Sequence, residues 1–225
     1  EIKPGHTMII STTLSKDYDA TSFAIRSSLQ DIKFYVGNEL RTEYSTKDTR
    51  LAGKNSASRY IFCPTTYRDA GKTLRIELTT YTSNYSGVVN EVYCGSQAEI
   101  WQYIYNDYGL STFIAFFILF AGITSIIFGS ALKFTYHTTF SMEYLGWCMV
   151  MGAIWMLGES KIRQMLVPNA SSLASLCFVM IMLSPLPLLF YADSIQNGKH
   201  RKLYKYIGCI ALLNFAVSSI LYLAK

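Results

Sequence analysis

The sequence predicts a membrane protein: an antiparallel β-sandwich followed by a bundle of membrane-spanning helices. Three observations predict it. Residues 1–95 mix charged, hydroxyl and aromatic side chains in short alternating runs, whereas charge nearly vanishes between Leu110 and Ala224. Between these halves lies a segment with a helix-start signature and a row of aromatics. Period-2 alternation marks half-buried strands, and long runs that are apolar on every side mark helices in lipid.

Within the first half, "DIKFYVGNELRTEY" carries the clearest strand signal. Ile32, Phe34 and Val36 alternate with Lys33 and Tyr35, Gly37-Asn38 offers a tight reversal, and Leu40 and Tyr44 resume on the return strand. Further β-rich pieces are His6–Leu14, Ser22–Leu29, Arg59–Cys63, Thr73–Tyr81 and Val88–Cys94. Short strands at this spacing, separated by Gly, Asn and Asp, predict two antiparallel sheets. "AGKTLRIELTTY" beside "VGNEL" resembles jelly-roll, galactose-binding-like modules. Those modules bind small ligands at loop ends or on a sheet face, often by stacking aromatics on sugar rings. In "YTSNYSG" the candidates for such contact are Tyr81, Asn84 and Tyr85; cross-strand pairing or contact with a membrane surface explains the same tyrosines.

Residues 96–109 form the predicted connector. Ser96 and Glu99 have capping-box spacing, and Trp101, Tyr103, Tyr105 and Tyr108 have the side chains favoured in a headgroup layer. Beyond it, Leu110–Leu132 holds no charge; at about 1.5 Å per residue it reaches ~35 Å, more than the ~30 Å of a hydrocarbon core. Spans are expected at about 110–132, 142–163, 173–192 and 205–224, four in all. Lys133, Lys199, Arg201, Lys202 and Lys205 fall in the connections on one side, and only Lys161 and Arg163 on the other. By the positive-inside rule residues 1–109 are extracytoplasmic, and a membrane crossed several times is expected.

Two polar or broken places interrupt the spans. In "GESKIRQ", Glu159 and Arg163 are four apart with the acid first, the favourable order for an ion pair on one helical face. Counting from Met142 puts Glu159 near the outer boundary, where the stretch reads chiefly as the chain surfacing; a ligand or ion site inside the bundle is the alternative. Pro185 and Pro187 each remove a helical hydrogen bond, so a hinge or a purely architectural kink is expected there.

Several function classes are excluded or disfavoured. The net charge of +5 is modest and no basic stripe interleaves with aromatics, against a nucleic-acid partner. No nucleophile triad, paired carboxylates or phosphate loop emerges, so no catalytic residue is assigned. Asp17 and Asp19 read as a solvated turn, and neither a metal nor a cofactor is expected. Cys63 and Cys94 are read as two buried thiols, with a disulfide as the alternative if the first half faces an oxidising space. The partners expected are the lipid bilayer and an extracytoplasmic small molecule (a carbohydrate among the candidates) or protein; a homodimer is compatible with this plan.

The stretch Tyr144–Tyr191 resembles the membrane sensor region of bacterial GGDEF-type signalling proteins, the diguanylate cyclases. Trp155, Glu159 and Ser160, then Gln164, Leu166, Pro168 and Asn169, then Pro185 and Pro187 carry the likeness. "RSSLQDIKFYVGNEL" and "NYSGVVNEVY" extend it into the first half, and the plan is similar to that of seven-span receptors with diverse intracellular signalling modules. The resemblance implies a cytoplasmic domain that makes cyclic di-GMP from GTP. No Gly-Gly-Asp-Glu-Phe occurs here, and the start without Met and the stop after an apolar run lead us to expect a piece of a longer protein. The expected function is therefore sensory input and membrane anchoring for an output domain outside this chain. A transporter or accessory subunit with a substrate-capturing ectodomain, or a receptor with a kinase or DNA-binding output, are the alternatives, and an envelope adhesion protein is a third.

Overall fold

In the computed structural model, residues 3–48, 56–136 and 142–224 are described. The chain forms two compact units, Glu1–Asp107 with Gln164–Ser171, and Tyr108–Arg163 with Ser172–Lys225.

The first unit is built on two antiparallel sheets. The strands are β1 (Thr7–Thr13), β2 (Ser22–Arg26), β3 (Gln30–Val36), β4 (Glu39–Tyr44), β5 (Tyr60–Pro64), β6 (Thr73–Thr80) and β7 (Val92–Gly95). One sheet has the order β1-β6-β3-β4 and the other β5-β2-β7. Alternation in β3 and β6 sends Ile32, Phe34, Val36, Leu74, Ile76 and Leu78 inward, where they meet Phe23, Ile25, Ile61 and Cys63 from the smaller sheet in one core. Burying such side chains stabilises the unit by roughly 1.5–3 kcal/mol each before entropy is counted. Gly37 takes φ of +62° and closes the β3–β4 hairpin. A register shift between Phe34 and Tyr35 leaves Arg41 as the extra residue of β4, the bulge geometry that re-aims a side chain.

Helix α1 (Gln97–Tyr136) runs without interruption for 40 residues. Its start has the reciprocal cap expected from the sequence: the Ser96 N–H donates to Glu99 Oε2 at 2.8 Å, and the Glu99 N–H donates to Ser96 Oγ at 3.2 Å. Ile100 and Ile104 are buried, and the Trp101 ring meets Tyr60 and Phe62 of β5 at 5.8 and 5.4 Å between centroids. The first turns of α1 thus cover one face of the smaller sheet.

The second unit contains the rest of α1, α2 (Met142–Glu159) and, after the short α3 (Arg163–Leu166), α4 (Ala170–Leu183), α5 (Pro185–Ile195) and α6 (Arg201–Ala224). Close approach of α1 and α2 depends on missing side chains: a Cβ at Gly146 would stand 2.7 Å from the Gly122 carbonyl oxygen and 2.9 Å from the Ile126 nitrogen. Likewise a Cβ at Gly158 would overlap the Cys177 sulfur. Lys133 and Glu143 form a salt bridge. Small residues at helix contacts are the usual means by which apolar helices gain dispersion energy without a hydrophobic drive.

Among the described residues three helices are long and apolar enough to cross a membrane: Gln97–Tyr136, Ala170–Ile195 and Arg201–Leu221, whose apolar 18-residue windows have mean hydropathies of 2.3, 2.2 and 1.4. The sequence led us to expect four. The missing one, expected over 142–163, ends at Glu159 after 18 residues. A glutamate near each end, together with two tryptophans, a tyrosine and three glycines, dilutes its hydropathy. The apolar rings of α1 point outward, with Phe117 65% and Phe120 66% exposed, and none of the apolar window of α6 is buried.

Candidate ligand groove and loop clasp

The outward row of the four-stranded sheet is polar because alternation leaves it so. Thr7, Glu77 and Thr79, Asp31 and Lys33, and Glu43 stand on that face, and with Tyr81 at one end they line a groove of about 410 Å³. Lys33 pairs with Glu43 at 2.8 Å, and Thr7 Oγ1 meets Thr79 Oγ1 at 2.8 Å. Next to the groove Arg75 stacks over the Tyr35 ring at 4.2 Å and reaches Glu77 at 3.4 Å. Asp31 Oδ1 accepts from the Thr46 N–H and the Thr46 hydroxyl, both at 2.7 Å, which pins the chain leaving β4. The groove therefore offers an aromatic wall, hydroxyls, carboxylates and one ammonium, a set that hydrogen-bonds polyhydroxylated or zwitterionic small molecules.

The three sequence candidates separate. Tyr81 lines the groove and is half exposed, with Lys47 5.7 Å from its ring centroid. Tyr85 does not line it. Its carbonyl accepts from the buried Gln30 amide at 3.0 Å, which also donates to Val88 at 2.8 Å and so ties down the loop. The side chain of Asn84 lies outside the described residues. Asp31, Lys33, Glu43 and Glu77 were missed, although the alternation in "DIKFYV" and "TLRIELTT" already assigns Lys33 and Glu77 to the outward face.

Away from the residues that line the groove, Asp69 is a structural centre. It is fully buried, accepts from the Thr66 N–H at 3.0 Å and from Lys72 at 2.7 Å, and is reached by the bulged Arg41 at 3.2 Å. Burial pushes its carboxyl up, but the Lys72 ammonium, the Thr66 N–H and the Arg41 guanidinium outweigh this and hold it below the ordinary aspartate value. A lowered value means that its stabilisation is present above the unfolded-state value and fades as pH falls through the folded-state value.

A second feature joins distant parts of the sequence. Residues 164–171, lying between two helices of the other unit, fold with the β-sheets. The Gln164 side-chain amide pairs with the backbone of Tyr60: its Oε1 accepts from the Tyr60 N–H at 2.6 Å and its Nε2 donates to the Tyr60 carbonyl at 3.3 Å. The Ser171 hydroxyl accepts from the Ala57 N–H at 3.0 Å in a buried position. At Phe62 the β5 carbonyl accepts from Thr42 at 3.3 Å. One amide side chain thus does the work of a neighbouring strand on the outer edge of β5, where unpaired backbone groups would otherwise be left.

The other sequence-derived positions fall as follows. Glu159 is the last residue of α2 and Arg163 the first of α3, so a turn at Ser160–Ile162 separates them where one continuous helical face was expected. Arg163 is buried and donates through Nη1 to the Gly158 carbonyl at 2.8 Å. Ser160 meets Thr112 at 2.8 Å, and Lys161 bonds the Tyr108 hydroxyl and lies over its ring. Of the aromatic row, Trp101 packs on β5, Tyr103 lies 5.7 Å from Tyr93, and Tyr105 is exposed. Pro185 opens α5 after an interruption at Ser184, with Pro187 buried two residues on. Cys63 and Cys94 both face Phe23, from opposite sides of β2, and both are free; Cys63 is buried, while Cys94 is exposed, contrary to expectation. Among the described residues no group of three or more His, Cys, Asp or Glu is placed to hold a metal ion.

Comparison with protein-family models, with curated proteins and with the solved structures finds no match.

Proposed function

We propose that this chain is the sensory input and membrane-anchoring module of a bacterial transmembrane signalling protein. In this reading a jelly-roll-like β-sandwich outside the cell takes a small ligand in the groove beside Tyr81. The apolar helices lie in the cytoplasmic membrane, and a cytoplasmic output domain of GGDEF type, carried elsewhere in the full-length protein, responds. The observation that carries the proposal is the clasp at Tyr60. A passive anchor needs one covalent exit from a folded head. Here the loop between two helices is part of the head itself, so a change at the β5 edge alters the boundary conditions of the helices on both sides of that loop. A ligand shifts such a system only by binding its two arrangements with different affinity, which the groove next to the sheet strands permits.

Outward-facing phenylalanines on α1 and an unburied α6 support lipid as the solvent of those helices, because a contiguous apolar surface of that size is rare on a protein in water. Reporter fusions test the topology. With α2 proposed to cross back beside α1 as a further span, a periplasmically active reporter should be active in the 167–169 connection and silent in the 198–200 connection; activity of the same reporter at both sites rejects the reading.

A further inference from the structure

Where α5 ends and α6 begins, the second unit has a cleft of about 530 Å³ with an unusual charge arrangement. Arg201 and Lys205, one helical turn apart on α6, line one side, and Asp193 and Asn197 line the other; Tyr144 and Phe190, whose rings stand 5.5 Å apart, form an apolar wall. Among the described residues no salt bridge joins Asp193 to either cation, and Asp193 Oδ1 is buried without a hydrogen-bond partner. A buried carboxylate oxygen without a donor is unfavourable, whereas exposed cations without an acid are not. The cleft thus presents a carboxylate acceptor at Asp193 and two cations, Arg201 and Lys205, across from it.

Its place in the chain narrows the occupant. It sits at the turn between two helices that are each long and apolar enough to cross a membrane, with Lys199 and Lys202 alongside. In the membrane reading, on which this inference rests, that level is the headgroup layer. We infer that the cleft is a lipid headgroup site selective for phosphoethanolamine, the phosphodiester lying between Arg201 and Lys205 and the primary ammonium donating to Asp193. A quaternary choline has no N–H to give Asp193, and a glycerol headgroup brings no positive charge to it, so both bind less well.

The test uses the whole chain, purified in detergent, stripped of lipid and titrated with phosphatidylethanolamine, phosphatidylcholine or phosphatidylglycerol, with bound lipid read by native mass spectrometry. Wild type should prefer the ethanolamine lipid over the choline lipid about tenfold, the size of one charge-assisted hydrogen bond. Asp193→Asn should erase that preference, while Arg201→Gln with Lys205→Gln, both at exposed positions, should weaken the two lipids together and leave their ratio unchanged. Equal binding of the two lipids by wild type, tighter binding of the glycerol lipid, or a preference that survives Asp193→Asn overturns the inference. Displacement by soluble O-phosphoethanolamine at the same concentration as the lipid also overturns it, by assigning the cleft to a free small molecule. A chain that stays soluble without detergent would instead overturn the membrane reading itself.

Discussion

At Phe23 the two cysteines of the β-sheets are held apart by register. Cys63 on β5 and Cys94 on β7 are both partnered to it, so two inter-strand steps of about 4.8 Å separate their backbones, roughly 9–10 Å in all. Disulfides need Cα atoms about 4.4–6.8 Å apart, so this pair does not close without breaking the sheet. Burial pushes the Cys63 thiol up to about 11, and burial raises Cys94 as well, to a lesser degree. Because the thiolate is the reactive species, Cys63 should resist a maleimide at neutral pH until the unit unfolds. Cys94, being exposed, should react in the folded protein, though more slowly than a free thiol. Single-cysteine variants followed by mass spectrometry check this, and a mobility change on reduction would contradict the register. The sequence left the pairing open because spacing along the chain says nothing about which strand lies between two others.

At the scale of elements, strands and breaks were legible where one local rule dominates. The inward rows of β3 and β6 follow from alternation alone, and the interruption at Ser184 follows from Pro185, which cannot donate to the preceding turn. The start of α1 was legible in the Ser96–Glu99 cap, and the helix opened there runs unbroken through the charge-free run that begins at Leu110. The end of α2 was misjudged because an (i, i+4) acid–base spacing favours helix without requiring it, and at Glu159 tertiary contacts of the next turn prevail: Ser160 with Thr112 and Lys161 with Tyr108. Helix contacts themselves yield a prediction of opposite signs. Gly146→Ala drives a methyl into the Gly122 carbonyl and should destabilise the α1–α2 pair by about 1–3 kcal/mol, as overpacking does. Gly152→Ala has nothing within 4 Å of its new Cβ and should gain up to about 1 kcal/mol of helix propensity. Thermal unfolding of both variants in the same detergent decides it; equal effects would mean that the glycine contact does not hold the helices together.

For the molecule as a whole, the sequence divides the chain at the connector, whereas the fold returns residues 164–171 to the β-sheets. Nothing local announces this. Gln164 and Ser171 are ordinary polar residues between apolar runs, and their partners, Tyr60 and Ala57, are more than a hundred positions away. Substitution at Gln164 distinguishes a true backbone mimic from incidental contact. Gln164→Ala removes both hydrogen bonds to Tyr60, and at about 0.5–1.5 kcal/mol each the β unit should lose roughly 1–3 kcal/mol, with faster hydrogen exchange at the Tyr60 amide. Gln164→Glu should be worse at neutral pH. Its carboxylate still accepts from the Tyr60 N–H but turns a second acceptor toward the Tyr60 carbonyl, where the wild-type amide donates. Protonation restores a donor, so the folded state favours the neutral acid and raises its pKa above the unfolded value. The sign follows: the stability of the Glu variant is regained as pH falls through the raised folded-state value, and the deficit is greatest above it. Hydrogen exchange of the Ala and Glu variants at pH 7 and pH 5 measures this directly. A Glu variant as protected as wild type at pH 7 would show that the Gln164 amide does not serve as the missing strand, and the route proposed from head to helices would fail with it.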